Sequence, residues 1–153
     1  MKAITIRQPW AWAIMHAGKD VENRTRNIAG SYHGPVVIHA GKALDRDEFG
    51  GAVDALDLIG VDRPAGRVKD LGFGVALGIA DLTGRIHHAD ECWDDYPVDP
   101  YYSVYGFCSK WAMPDQWHLT LANPRPFPEP IPYKGALGLW NFPDELLPDG
   151  WLS

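Results

Sequence analysis

The sequence predicts an α+β fold, a small β-barrel with helices packed on its outside. Three observations carry that expectation. Short segments with apolar alternation recur along the chain. Turn formers are dense, with 16 glycines and 13 prolines in 153 residues. Helical periodicity is confined to a few segments, the first of them residues 10–17.

Residues 2–7 alternate as a strand, with Ala3, Thr5 and Arg7 opposing Ile4 and Ile6. Pro9 suits the first turn of a helix, where its missing N–H costs nothing. Trp10, Ala13, Ile14 and Ala17 form one helical face, and Gly18 is a natural stop. Residues 19–26 read as extended. Val36, Val37 and Ile38 make residues 35–39 a short buried strand. Residues 44–59 read as a surface helix rich in Asp and Glu, with Gly50 and Gly51 as breaking points, and residues 61–69 as loop. Residues 72–86 are β-rich with glycine punctuation, which fits a curved or bulged strand. Residues 91–114 form a long aromatic stretch without clear elements. Residues 116–122 alternate as a strand, and the five prolines of residues 124–132 exclude a central strand there. Residues 135–142 are the last strand, followed by at most a short helix over residues 143–147. Segments 3–7, 20–25, 36–39, 73–82, 116–122 and 136–141 are therefore expected to pair in one curved sheet or barrel. The early helix is expected beside its cleft.

The length suits one domain, residues 1–153, with a single core. A hydrophobic fraction of 46% excludes a disordered chain. No apolar run is long enough to span a bilayer and no secretory leader precedes the first strand, so no membrane partner is expected. Cys92 and Cys108 show neither a disulfide framework nor a metal-ligand spacing, which fits a reducing cytoplasm. Net charge is −6 but uneven. Residues 1–42 hold Lys2, Arg7, Lys19, Arg24, Arg26 and Lys42 against Asp20 and Glu22, a local +4 on a body of −10. A basic site on an acidic body suits a small anionic or polar ligand, or a short stretch of nucleic acid. Wrapping by long duplex DNA needs many phosphate contacts and is not expected.

The chemistry concentrates in Arg7-Gln8-Pro9-Trp10-Ala11 and Gly18-Lys19-Asp20-Val21-Glu22-Asn23-Arg24. In an extended chain, residues two apart share a face, so Asp20, Glu22 and Arg24 point one way and Val21 the other. Lys19, at the helix-to-strand turn, can reach the same cleft. Arg offers a fixed fork of donors, Glu accepts from an amino group, and Trp10 or Trp12 offers a stacking surface for a planar base. The bland alternative is a Glu22–Arg24 salt bridge on a solvated face, with Trp10 in the core.

These two segments resemble the ASCH domain, a family of the PUA-like β-barrel superfamily. Its motif is a glycine, then a lysine, a glutamate and an arginine spaced as Gly18, Lys19, Glu22 and Arg24. Leu121-Ala122-Asn123-Pro124-Arg125-Pro126 and Gly138-Leu139-Trp140 look like the closing strands of longer bacterial and phage members, so the resemblance spans essentially the whole chain. It implies a PUA-like barrel that binds RNA or modified bases in a cleft beside the helix after the first strand. Some small members resemble ribonucleases. Another branch hydrolyses N4-acetylcytidine with a lysine base and a threonine nucleophile three residues later. The lysine corresponds to Lys19, but Glu22 occupies the threonine position. A carboxylate cannot form the same ester, so an amidohydrolase would need Glu22 to activate water and Lys19 or Arg24 to stabilise the oxyanion.

Other constellations are weaker. His87, His88, Asp90, Glu91 and Cys92 are metal-ligand types, but no second half-site accompanies them, and no metal is assigned. Tyr101, Tyr102, Tyr105, Trp111 and Trp117 suit a stacking surface or simply a core or lid. Gly72-Phe73-Gly74 lacks the rest of a dinucleotide fingerprint, and no cofactor is expected. The expected ligand-binding residues are Arg7, Trp10, Lys19, Glu22, Arg24 and His39. Lys19 and Glu22 are the catalytic pair if the protein is an enzyme. The expected partner is single-stranded RNA or a modified nucleoside or nucleotide. The rival readings are a hydrolase on the same ligands and a partner-binding module.

Overall fold

Alternating apolar residues build the sheet that carries the site. The computed structural model describes residues 1–45, 71–92 and 108–151. Among the described residues six strands form one sheet: β1 (Lys2–Gln8), β2 (Val21–Arg24), β3 (Gly34–Leu44), β4 (Val75–His88), β5 (Trp117–Pro132) and β6 (Leu139–Asn141). Helix α1 (Trp10–His16) joins β1 to β2. The strand order is β2-β5-β4-β3-β1-β6. Among the described residues β1 and β3 run parallel, and the other ladders are antiparallel. The described residues are thus mostly β, with β2 and β6 at the two ends of the order and no ladder between them.

The pleat sorts side chains into two cores. Ile4, Ile6, Val36, Ile38, Ala40, Leu82, Leu119 and Leu121 share one face, covered by Ala11, Ile14 and Met15 of α1. Ala3, Val37, Ala76, Ile79 and Phe142 occupy the other. A strand buried on both faces reads as a continuous apolar run, which is why Val36-Val37-Ile38 shows no alternation. Gly78 marks a close crossing of β4 by β5. A Cβ there would press on the Arg125 carbonyl and lie 2.6 Å from Met15 Sδ.

Several expected boundaries move. The third strand extends through Leu44, so a helix cannot begin there, and the rest of the expected helix 44–59 lies outside the described residues. The loop 61–69 and the tyrosines at 101, 102 and 105 also lie outside them. Residues 19–26 contribute only Val21–Arg24, and residues 135–142 only Leu139–Asn141. The proline-rich segment is not a break: β5 continues through Pro132. It does so because β2 pairs with β5 at residues 117–120, and beyond that point β4 is its one strand neighbour among the described residues. The prolines occupy every second position from 124 to 132, and in a regular strand alternate N–H groups point to the same edge.

Candidate functional site

A short helix and a tight reversal place Lys19. Pro9 O accepts from Ala13 N, and Gln8 Oε1 accepts from Trp12 N, giving the seven-residue helix its first-turn partners. Gly18 has a φ of 70°, the left-handed geometry that only glycine adopts without strain. Beyond it, Lys19 N returns to donate to Ala13 O at 3.1 Å. The Lys19 side chain is thereby kept out of solvent, and the residue is 4% exposed.

Strand β2 supplies the other two charges. Glu22 stands opposite Leu119 and Arg24 opposite Trp117, so both project from the sheet face that holds Leu119. Glu22 is 6% exposed. Its Oε2 lies 3.5 Å from Lys19 Nζ and its Oε1 lies 3.0 Å from Arg24 Nε. Lys19 Nζ also donates to Val21 O, and Arg24 Nη2 donates to Thr5 O at 2.6 Å. Arg24 Nε is buried, and its N–H is not aligned on an acceptor among the described residues despite the short ion-pair distance. Burial pushes the Lys19 ammonium below the ordinary lysine range, opposed by the charges of Glu22 and Asp20 and reinforced by Arg24.

Lys19, Glu22 and Arg24 are therefore brought together. The solvated salt bridge offered as the bland alternative is corrected by the burial of Glu22 on the core face. Asp20 is held apart by Ser109 Oγ, which donates to its Oδ1 at 2.5 Å. Arg7 lies elsewhere, exposed, with Asp45 Oδ1 at 3.9 Å. Trp10 is partly buried between two apolar clusters, and its Nε1 donates to Asp45 Oδ2 at 2.7 Å. His39 belongs to the opposite face. Its Nε2–H donates to Tyr133 O at 2.9 Å, and its ring meets Trp140 edge-on at 5.7 Å. The physical reason is parity: Ile38 faces the core shared with α1, so His39 faces away.

Sequence reasoning missed three contributors. Gln8 is fully buried and donates from Nε2 to Leu71 O and Gly72 O at 2.7 and 2.9 Å. Thr5 offers its carbonyl to Arg24 and its Oγ1 to Trp140 Nε1. Asn23, on the reverse of β2, donates to Trp111 O and accepts from Met113 N. Their only sequence signal is a polar residue inside an otherwise apolar or charged run. The same reverse face also gathers His87, Cys92, Cys108 and His118. Among the described residues no helix is long and apolar enough to cross a membrane. No protein-family model matches the chain.

Proposed function

We propose that this chain is an ASCH-type, PUA-like barrel that binds single-stranded RNA or a modified nucleoside at Lys19, Glu22 and Arg24. One observation carries the reading: a buried carboxylate sits between two cations, and the buried Arg24 Nε–H has no aligned acceptor among the described residues. Charges in a protein interior are costly unless paired, and groups whose pKa is perturbed by burial beside a charge partner, as Lys19 is, concentrate at functional sites. Arg24 is the most accessible of the three, with 27% of its side chain exposed against 3% and 8% for Lys19 and Glu22. It is the group a ligand meets first, while Lys19 and Glu22 fix its orientation and the local charge. The barrel part of the reading is supported by the reach of Arg24 from β2, at one end of the strand order, to Thr5 of β1, one strand from the other end.

A hydrolase reading has one observation in its favour, the burial that lowers the Lys19 pKa toward the range of a general base. Against it, Lys19 Nζ is already engaged by Val21 O and Glu22. Binding is therefore the main reading. The test is a thermal-shift and calorimetric series over modified pyrimidine nucleosides, short single-stranded RNA and duplex DNA. Single-stranded RNA or one nucleoside should bind, with a shallow salt slope reflecting few phosphate contacts. Tight duplex binding that collapses with salt, or no binding at low salt, would refute the assignment.

A further inference from the structure

We propose that His87, Cys92, Cys108 and His118 form a tetrahedral Cys2His2 metal centre, suited to zinc, on the reverse face of the β4–β5–β2 region. One ligand atom from each of the four lies within 4.8 Å of each of the others. His87 Nε2 is 3.0 Å from Cys92 Sγ, and His118 Nδ1 is 3.3 Å from Cys92 Sγ and 3.5 Å from Cys108 Sγ. With Zn–S near 2.3 Å and Zn–N near 2.05 Å, a tetrahedron has donor-to-donor edges of about 3.3–3.8 Å. Three edges therefore stand at 3.0–3.5 Å and all six lie within 4.8 Å, so binding would widen the shortest edge and draw any edge near the upper bound in by about 1 Å. Two thiolates and two imidazoles in a tetrahedral arrangement suit zinc.

The surrounding bonds suit a ligand set better than a chance contact. His118 is fully buried, and its Nε2–H donates to Met113 O at 2.8 Å. That bond fixes the tautomer and leaves the Nδ1 lone pair aimed at both sulfurs, as metal-bound histidines require. The Cys108 backbone N–H points at Cys92 Sγ at 3.2 Å, where it would stabilise a thiolate. The fold also explains the set. His87, His118 and Asn23 lie in one row across β4, β5 and β2. Binding would displace the two thiol protons to solvent and leave four protein ligands with no open position, the pattern of a structural site. The metal would clamp the end of β4, the start of β5 and residues 108–113. Asn23 ties the last of these to β2, the strand that bears Glu22 and Arg24.

The test uses the untagged full chain, reduced and stripped by a chelator, then titrated anaerobically with Co²⁺ and back-titrated with Zn²⁺. One equivalent of Co²⁺ should saturate, giving tetrahedral ligand-field bands and thiolate charge-transfer absorption, and one equivalent of Zn²⁺ should abolish both. Cys108→Ser should lose roughly half the charge-transfer intensity, and Cys108→Ser and His87→Gln should each weaken binding at least about tenfold. His88→Gln should bind as the wild type does, since its Nδ1 faces Asp90 at 3.1 Å. Zn²⁺ should raise the thermal midpoint of the wild type and of His88→Gln by more than that of Cys108→Ser. Absence of a tetrahedral spectrum overturns the proposal. So does a spectrum that survives unchanged in both Cys92→Ser and Cys108→Ser.

Discussion

Arg24 donates to the carbonyl of Thr5 at 2.6 Å, and this bond joins two strands that stand four places apart in the sheet order. The guanidinium is held on its other side by Glu22, whose Oε1 lies 3.0 Å from Arg24 Nε. Arg24→Ala should weaken ligand binding by about 1–3 kcal/mol, since a charge-assisted contact is lost. Arg24→Lys should recover only part of it, because a single ammonium cannot span Glu22, Thr5 and a ligand together. Calorimetry against the best ligand of the nucleoside series checks both. Equal affinity in wild type and Arg24→Ala would remove Arg24 from the site.

Gln8 is a second long-range tie, this one purely structural. It bonds Trp12 N in α1 and two carbonyls at residues 71 and 72 from a fully buried position. Gln8→Ala removes three bonds and leaves the groups at the other end unpaired. The expected loss is about 2–5 kcal/mol of stability. Urea denaturation should show an earlier midpoint at similar slope, and a midpoint within error of the wild type would mean the site collapses or hydrates freely.

How far the sequence disclosed this arrangement depends on which information each feature needs. Strand β1 and helix α1 follow from local periodicity, because Ile4, Ile6 and Ile14 bury on one side. The grouping of Lys19, Glu22 and Arg24 follows from two-residue parity plus the turn at Gly18. Parity also speaks against His39 in the cleft, since Ile38 and His39 must face apart, yet a run buried on both faces hides which side is which. The proline half of β5 was illegible for a different reason: whether a strand has one neighbour or two is a property of topology. The histidines and cysteines share this dependence. Positions 87, 92, 108 and 118 have no regular spacing, and only the pairing of His87 with His118 brings the two halves together.

Gly78 tests the crossing of β4 and β5. A methyl group there would meet the Arg125 carbonyl and lie 2.7 Å from Pro126 Cα, both backbone groups that cannot rotate away. Gly78→Ala should therefore destabilise by about 2–4 kcal/mol or prevent folding, although alanine is ordinarily neutral or better in a strand. Gly74→Ala is a milder comparison, as its nearest neighbour is the flexible Lys42 side chain at 3.5 Å, and its cost comes from a φ of 67°. Thermal melts of the two variants should rank Gly78→Ala lower.

His39 supplies a pH dependence. Burial lowers its pKa from 6.5, opposed by the bond to Tyr133 O. The folded state then binds fewer protons than the unfolded state once pH drops near 6.5. The stability His39 contributes is thus complete above its unfolded value and is lost as pH falls through the folded one. The groups around it, Thr5, Tyr133, Gly135 and Trp140, carry no opposite charge to offset this. The thermal midpoint should fall between about pH 8 and about pH 5.5, and His39→Asn should fall less over the same range. Parallel curves for the two proteins would assign the acid sensitivity to other histidines.

Lys19 and Glu22 decide between binding and hydrolysis. A lysine buried beside a carboxylate and lowered in pKa could serve as a base, and a carboxylate could activate water. Both groups are nearly enclosed, however, and each already faces the other and a further partner. Hydrolysis would require a ligand to displace the Lys19–Val21 bond and open a path for water. Binding needs only that Arg24 present its remaining donors. The expected result is therefore no product from N4-acylated cytidines or from RNA in the wild type. In Lys19→Ala and Glu22→Gln, ligand affinity should fall by about 1–3 kcal/mol with thermal melts still cooperative. Wild-type turnover that drops by about two to four orders of magnitude in both folded variants would instead make the pair catalytic. Turnover that survives in both would place the chemistry outside the Lys19–Glu22 pair.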